Sequence, residues 1–99
     1  MEALDIGTGG GVVAVLLAQL GHDVTGVDIS EKMLAGARSF IKENRQEIKL
    51  VQGWAKKLPF ADDSFDVVES RGVFWTLPEP EKTILEWTRI TRNGGKISV

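Results

Sequence analysis

The sequence predicts an α/β fold in which one parallel sheet is covered by helices on both faces. Three observations lead there. Short apolar runs suited to strands alternate with longer stretches of helical periodicity along all 99 residues. The first run, Leu4-Asp5-Ile6, opens into Gly7-Thr8-Gly9-Gly10-Gly11 and then into an apolar, alanine-containing stretch from Val12 to Leu20, which reads as strand, turn and helix. The second run ends at Val27-Asp28, placing an acidic residue about twenty residues beyond the glycines, where it can accept hydrogen bonds from a ribose diol.

The elements follow in order. Ala3 to Ile6 is a short first strand, and Val12 to Leu20 is the first helix, stopped by Gly21-His22 with a glycine C-cap. Asp23 to Val27 is the second strand. Ser30 is a good N-cap, with Met33 at the third helical position where a capping box prefers Glu, and the helix runs to about Lys42. Met33, Leu34, Ala37 and Ile41 recur at helical spacing and are expected to pack on the sheet. Glu43 to Gln46 is a polar turn, Ile48 to Val51 the third strand, and Gly53 to Asp63 a loop. Phe65 to Val68 or Glu69 is the fourth strand, apolar enough to be covered on both faces. Pro78 and Pro80 punctuate the start of a helix that runs to about Thr91, with Ile84, Trp87 and Ile90 on one face. Asn93-Gly94-Gly95 stops it, and Lys96 to Val99 begins strand five.

Composition excludes several classes of function. A formal charge of −2 gives no electrostatic footprint for nucleic acid or an anionic membrane. Without cysteine there is no disulfide framework, thiolate metal site or cysteine nucleophile, as suits a reducing cytosol. The longest apolar run, Val12 to Leu20, falls far short of the roughly 20 residues needed to span a bilayer. A soluble cytoplasmic protein is the expectation, with no signal peptide.

The glycine turn is the candidate ligand cradle. Glycine removes the Cβ and permits positive φ, so a ligand can approach the peptide plane, and the amides at the start of the following helix point at the loop. Its spelling admits two readings. Gly9-Gly10-Gly11-Val12-Val13-Ala14 satisfies the dinucleotide fingerprint, which keeps a nicotinamide-binding oxidoreductase domain open. Asp5-Ile6-Gly7-Thr8-Gly9-Gly10-Gly11 sets an acid ahead of three glycines at alternate positions, which resembles motif I of the class I S-adenosylmethionine-dependent methyltransferases. Three more blocks are similar to that family in the same order: Val27 to Leu34, Leu58 to Val68, and Leu85 to Lys96. The likeness covers nearly the whole chain and is closest to the small-molecule type that includes quinone-pathway C-methyltransferases.

The resemblance implies a three-layer Rossmann-like sheet of order 3-2-1-4-5. It also implies helices before strand one, and a helix and strands six and seven after strand five. Residues 1–99 are therefore expected to be the S-adenosylmethionine-binding core of a longer protein or a shortened relative, with strand five an open edge prone to self-association. By the same resemblance Gly7, Thr8, Gly9 and Gly11 hold the methionine part of the cofactor, Asp5 orients its amino end, and Asp28 takes the ribose hydroxyls. Ile29 and Met33 lie against the adenine, although both are also ordinary core residues, and Asp28 could simply cap the helix at Ser30.

After strand three the family usually carries an acid that receives the adenine amino group. Here the sequence reads Gln52-Gly53-Trp54-Ala55, so Trp54 replaces that acid, leaving the Ala55 amide and the indole face to meet the ring. Ser70 and Arg71, at the end of strand four, are candidates for the methionine end or the acceptor, and Phe74 to Pro78 for an acceptor wall. His22, Lys56-Lys57 and Asp62-Asp63 read as surface residues. The expected activity is methyl transfer from S-adenosylmethionine to a small molecule, which needs alignment and water exclusion more than a catalytic acid or base. A non-catalytic cofactor-binding or partner-binding remnant is the third class.

Overall fold

The computed structural model describes residues 1–70 and 77–99. Five strands, β1 (Glu2–Ile6), β2 (Asp23–Asp28), β3 (Lys49–Gln52), β4 (Phe65–Glu69) and β5 (Thr91–Ser98), form one sheet of order β3-β2-β1-β4-β5. Every neighbouring pair is parallel, with Leu4 opposite Thr25 on one side and Val68 on the other. The predicted class and strand order are both observed. Parallel neighbours cannot be joined by tight hairpins. Three helices, α1 (Val12–Gln19), α2 (Glu31–Glu43) and α3 (Pro80–Ile90), lie in the crossovers.

Side-chain alternation along β1 divides the core between the two faces. Leu4 and Ile6 join Val27, Val68, Trp87 and Ile90 beneath α3, while Ala3 joins Ala14 and Val24 beneath α1. Val15 of α1 meets Ala37 and Ile41 of α2. A Cβ on Gly11 would stand 3.3 Å from the Ala37 Cβ, and Gly11 has φ +88°, so the close approach of the two helices and the turn both require glycine.

Local signals set the helix ends. The Ser30 hydroxyl accepts the Met33 N–H at 3.2 Å, capping α2. At the end of α1, Gly21 (φ +94°) and His22 donate their N–H groups to the carbonyls of Ala18 and Leu17, a complete Schellman closure. Arg45 (φ 55°) and Gln46 close α2 in the same way on Lys42 and Ile41, without a glycine.

Three expectations change. Met33 does not pack on the sheet: Leu34, Ala37 and Ile41 fill that face, and Met33, 46% exposed, lies beside the stripe. The buried face of α3 is Thr83, Trp87 and Ile90, with Ile84 only half buried. Strand β5 begins at Thr91, before the Asn-Gly-Gly stop, because Thr91 pairs with Phe65 before the register jumps so that Lys96 faces Val67. The intervening residues bulge, and a Cβ on Gly95 would stand 2.6 Å from the Asp66 carbonyl oxygen. β5 pairs within the sheet with β4 alone and forms one of its edges.

Candidate functional site

Three adjacent strands end side by side in the order β3-β2-β1, and each delivers a different chemistry. β1 runs into the glycine turn, β2 ends on Asp28, and β3 runs into Gly53 to Lys56. A cavity of about 630 Å³ spans all three, lined by Gly7 and Gly9 at one end with the Met33 side chain beside Gly9, Asp28 in the middle, and Ile29, Trp54, Ala55 and Lys56 at the other. Neighbouring strands lie about 4.8 Å apart, so the cavity crosses roughly 10 Å of sheet rim.

Asp28 locks the first two strand ends together. One carboxylate oxygen accepts the Gly9 N–H at 2.9 Å and the other the Ser30 N–H at 3.0 Å. Each oxygen retains lone-pair capacity for a hydroxyl. Ser30 is the cap of α2, and Asp28, which holds the Ser30 N–H, stands on the cavity wall as well. Gly7 and Thr8 both donate to the Val27 carbonyl, at 2.8 and 2.9 Å, which seats the turn on β2.

Asp5 and Thr8 face the turn's own interior. The Asp5 carboxylate is buried and accepts the Thr8 hydroxyl at 2.8 Å, so both shape the turn and neither lines the cavity. Gly11 likewise sits at the α1 and α2 contact, outside the cavity lining. Sequence reasoning missed Gly26, where a Cβ would lie 2.8 Å from the Thr8 hydroxyl and 3.0 Å from Leu50. The available signal was a glycine in the interior of a strand, which marks close approach.

At the β3 end, Ile29 and Trp54 are 59% and 56% exposed, a large apolar surface for a ligand to cover. The Ala55 carbonyl accepts the Nε1–H of buried Trp87 at 2.8 Å, which hangs this loop on α3. Lys56 reaches Glu79 at 2.8 Å, and Lys82 reaches it at 3.1 Å. The Lys56 ammonium, and after it Lys82, holds the Glu79 carboxyl below the usual glutamate range. Ser70 is buried, and its hydroxyl has no hydrogen-bond partner among the described residues. It lies outside the cavity lining, and Arg71 and Phe74 to Thr76 fall outside the described residues. His22 is half-buried in the turn after α1. Among the described residues, no cluster of acidic, histidine or cysteine side chains could hold a metal ion, and no helix is long and apolar enough to cross a membrane.

A glycine turn, a strand-end aspartate and an apolar aromatic pocket thus meet at the C-terminal rim of an open parallel sheet, the place where α/β proteins of this class bind their ligands. The chain matches the methyltransferase domain family over residues 4–99 and belongs to that family. It is 38% identical over 98 residues to a demethylmenaquinone methyltransferase of Renibacterium salmoninarum, covering 99% of this chain and 40% of that protein. It is 36% identical over 100 residues to a phosphatidylethanolamine N-methyltransferase of Cereibacter sphaeroides, covering 99% of this chain and 49% of that protein. The crystal structure of a SAM-dependent methyltransferase from Aquifex aeolicus superposes with a TM-score of 0.85 at 26% identity, covering 93% of this chain and 51% of that one. The chain thus spans less than half the length of the curated relatives it matches.

Proposed function

We propose that the chain is the cofactor-binding core of an S-adenosylmethionine-dependent methyltransferase acting on a small-molecule acceptor in the cytoplasm. The observation that carries this is Asp28, held by Gly9 and Ser30 on the wall of a cavity that runs from the glycine turn to Trp54. Such a cavity accommodates the three parts of the cofactor in sequence. Gly7 and Gly9 of the glycine turn face its amino-acid tail, Asp28 accepts from its ribose, and Ile29, Met33, Trp54 and Ala55 surround its base. The bound cofactor supplies a methyl group already activated on a sulfonium. The chain's own contribution is to bind, to orient and to keep water away.

A small acceptor is supported by the formal charge of −2, which carries no net attraction for a polyanion, and by Leu77 and Pro78 at the cavity wall. The relative named for demethylmenaquinone is consistent with an apolar acceptor. The absence of cysteine suits a reducing compartment. The open edge of β5 is a place where two copies could pair, blunted by its bulge and by Lys96. Sedimentation velocity over a range of concentrations tests this, and a monomer throughout would remove it.

Isothermal titration calorimetry with S-adenosylmethionine, S-adenosylhomocysteine and NAD tests the cofactor assignment. Binding of the first two and not NAD is expected. Binding of NAD alone would move the chain to nicotinamide chemistry. No binding by a folded chain would make it a remnant without a competent site.

A further inference from the structure

Sulfur is scarce in this chain. There is no cysteine, and of the two methionines one is the N-terminal Met1 and the other is Met33. Met33 is 46% exposed and lines the cavity. With no thiol present, these thioethers are the side chains most open to two-electron oxidation.

A run of hydrogen bonds fixes where the Met33 thioether stands. The Met33 N–H donates to the Ser30 hydroxyl at 3.2 Å, the Ser30 N–H to one Asp28 oxygen at 3.0 Å, and the Gly9 N–H to the other at 2.9 Å. One carboxylate thus ties the first turn of α2 to the glycine turn. The terminal methyl of Met33 lies against Gly9, where an added Cβ would meet it at 3.4 Å. The sulfur is one bond from that methyl, on a wall shared with Ile6, Val27 and Ile29. Oxidation would turn this flexible apolar side chain into a polar, chiral sulfoxide. A ligand seated on the wall would then strip water from the new S–O dipole, which opposes binding.

We propose that Met33 is an oxidation site through which a peroxide lowers the affinity of the cofactor cavity. The peroxide O–O bond breaks and its hydroxyl oxygen forms the S–O bond. The proton leaves with the other oxygen as water or an alcohol, the sulfur losing two electrons and the peroxide gaining them. Methionine sulfoxide is returned to the thioether by sulfoxide reductases, so the change is reversible. The inference rests on the cofactor assignment above, since it concerns the affinity of that same cavity.

The test treats the full chain with hydrogen peroxide and removes the excess with catalase, which keeps the thioether of the probe intact. Peptide mass spectrometry then locates the added oxygen, and calorimetry measures S-adenosylhomocysteine binding. Oxygen on Met33 is expected, with affinity reduced about fivefold or more against the untreated chain and recovered after methionine sulfoxide reductase. Met33→Leu keeps a good helix former at this half-exposed position. Its treated and untreated samples should bind alike, whatever their affinity, although Met1 still takes up oxygen. The inference is overturned by a Met33 that stays unmodified while Met1 is oxidised, by an oxidised Met33 with unchanged affinity, or by a loss that the reductase does not reverse. A loss on treatment of Met33→Leu equal to that of the wild type moves the lesion to another residue and overturns it as well. If the untreated chain, shown by circular dichroism to be folded, does not bind the probe, the cofactor assignment itself falls and takes this inference with it.

Discussion

Arg45 holds φ 55° at the end of α2, a left-handed conformation in which its Cβ crowds the backbone. Its side chain is exposed, so the strain has no compensating burial. Arg45→Gly is expected to stabilise the chain by about 1 kcal/mol, seen as a higher melting temperature. The reverse holds at Gly11, where φ +88° and the 3.3 Å approach to Ala37 coincide. Gly11→Ala should cost about 1–3 kcal/mol in denaturant titration. Asp28→Ala leaves the Gly9 and Ser30 N–H groups without their acceptor. It should weaken S-adenosylhomocysteine binding about tenfold or more by calorimetry, since hydrogen bonds to a charged group each contribute about 1.5–3 kcal/mol. The place of Gly7, Gly9 and Asp28 on the cavity wall was legible because a glycine turn and a strand-end acid fall at the rim of a parallel sheet by their position in the chain alone. The inward turn of Asp5 and Thr8 was not, because one residue along a tight loop decides whether a side chain faces the cavity or the loop.

The loop from Gly53 to Asp63 has little regular structure of its own, and α3 holds it. Arg89 donates to the carbonyls of Phe60 (2.8 Å) and Leu58 (3.2 Å), to Asp62 at 2.9 Å and to Glu86 at 2.8 Å, while Glu86 also accepts the Leu58 N–H at 2.6 Å. A planar guanidinium can serve these acceptors together and an ammonium cannot. Arg89→Lys should therefore destabilise by about 2 kcal/mol in thermal or chemical unfolding. Glu86 is held below the usual glutamate range chiefly by the Arg89 guanidinium. A lowered folded pKa contributes stability that is present above the unfolded value, 4.5, and is lost as pH falls through the folded one. Melting temperature should thus fall below about pH 4.5, and Glu86→Gln should lower it at neutral pH and flatten the acid decline. The Leu58 to Val68 block was visible in the sequence. That a helical arginine some thirty residues on secures it was not, since no local periodicity links a loop carbonyl to a distant side chain.

At the scale of the whole molecule, strand order does the work of assembling the site. β1, β2 and β3 are separated in the chain by helices, yet their ends meet because the sheet places them as neighbours. The same architecture leaves Val12 and Leu16 of α1 and its C-cap residue Leu20 52%, 54% and 74% exposed, a stripe at four-residue spacing. Periodicity alone could not foresee this, because α1 is apolar on every side and only packing tells which side is covered.

The sequence by itself determined the class of fold, the sheet order by family likeness, and the glycine turn with its distant aspartate, because period, turn chemistry and ligand-facing residue types are properties of short stretches. Only the tertiary structure decided which groups face the cavity and which are consumed in holding it. Many of those facts depend on partners far apart in the chain, as Gly9 with Asp28 and Ala55 with Trp87, which no short stretch contains together.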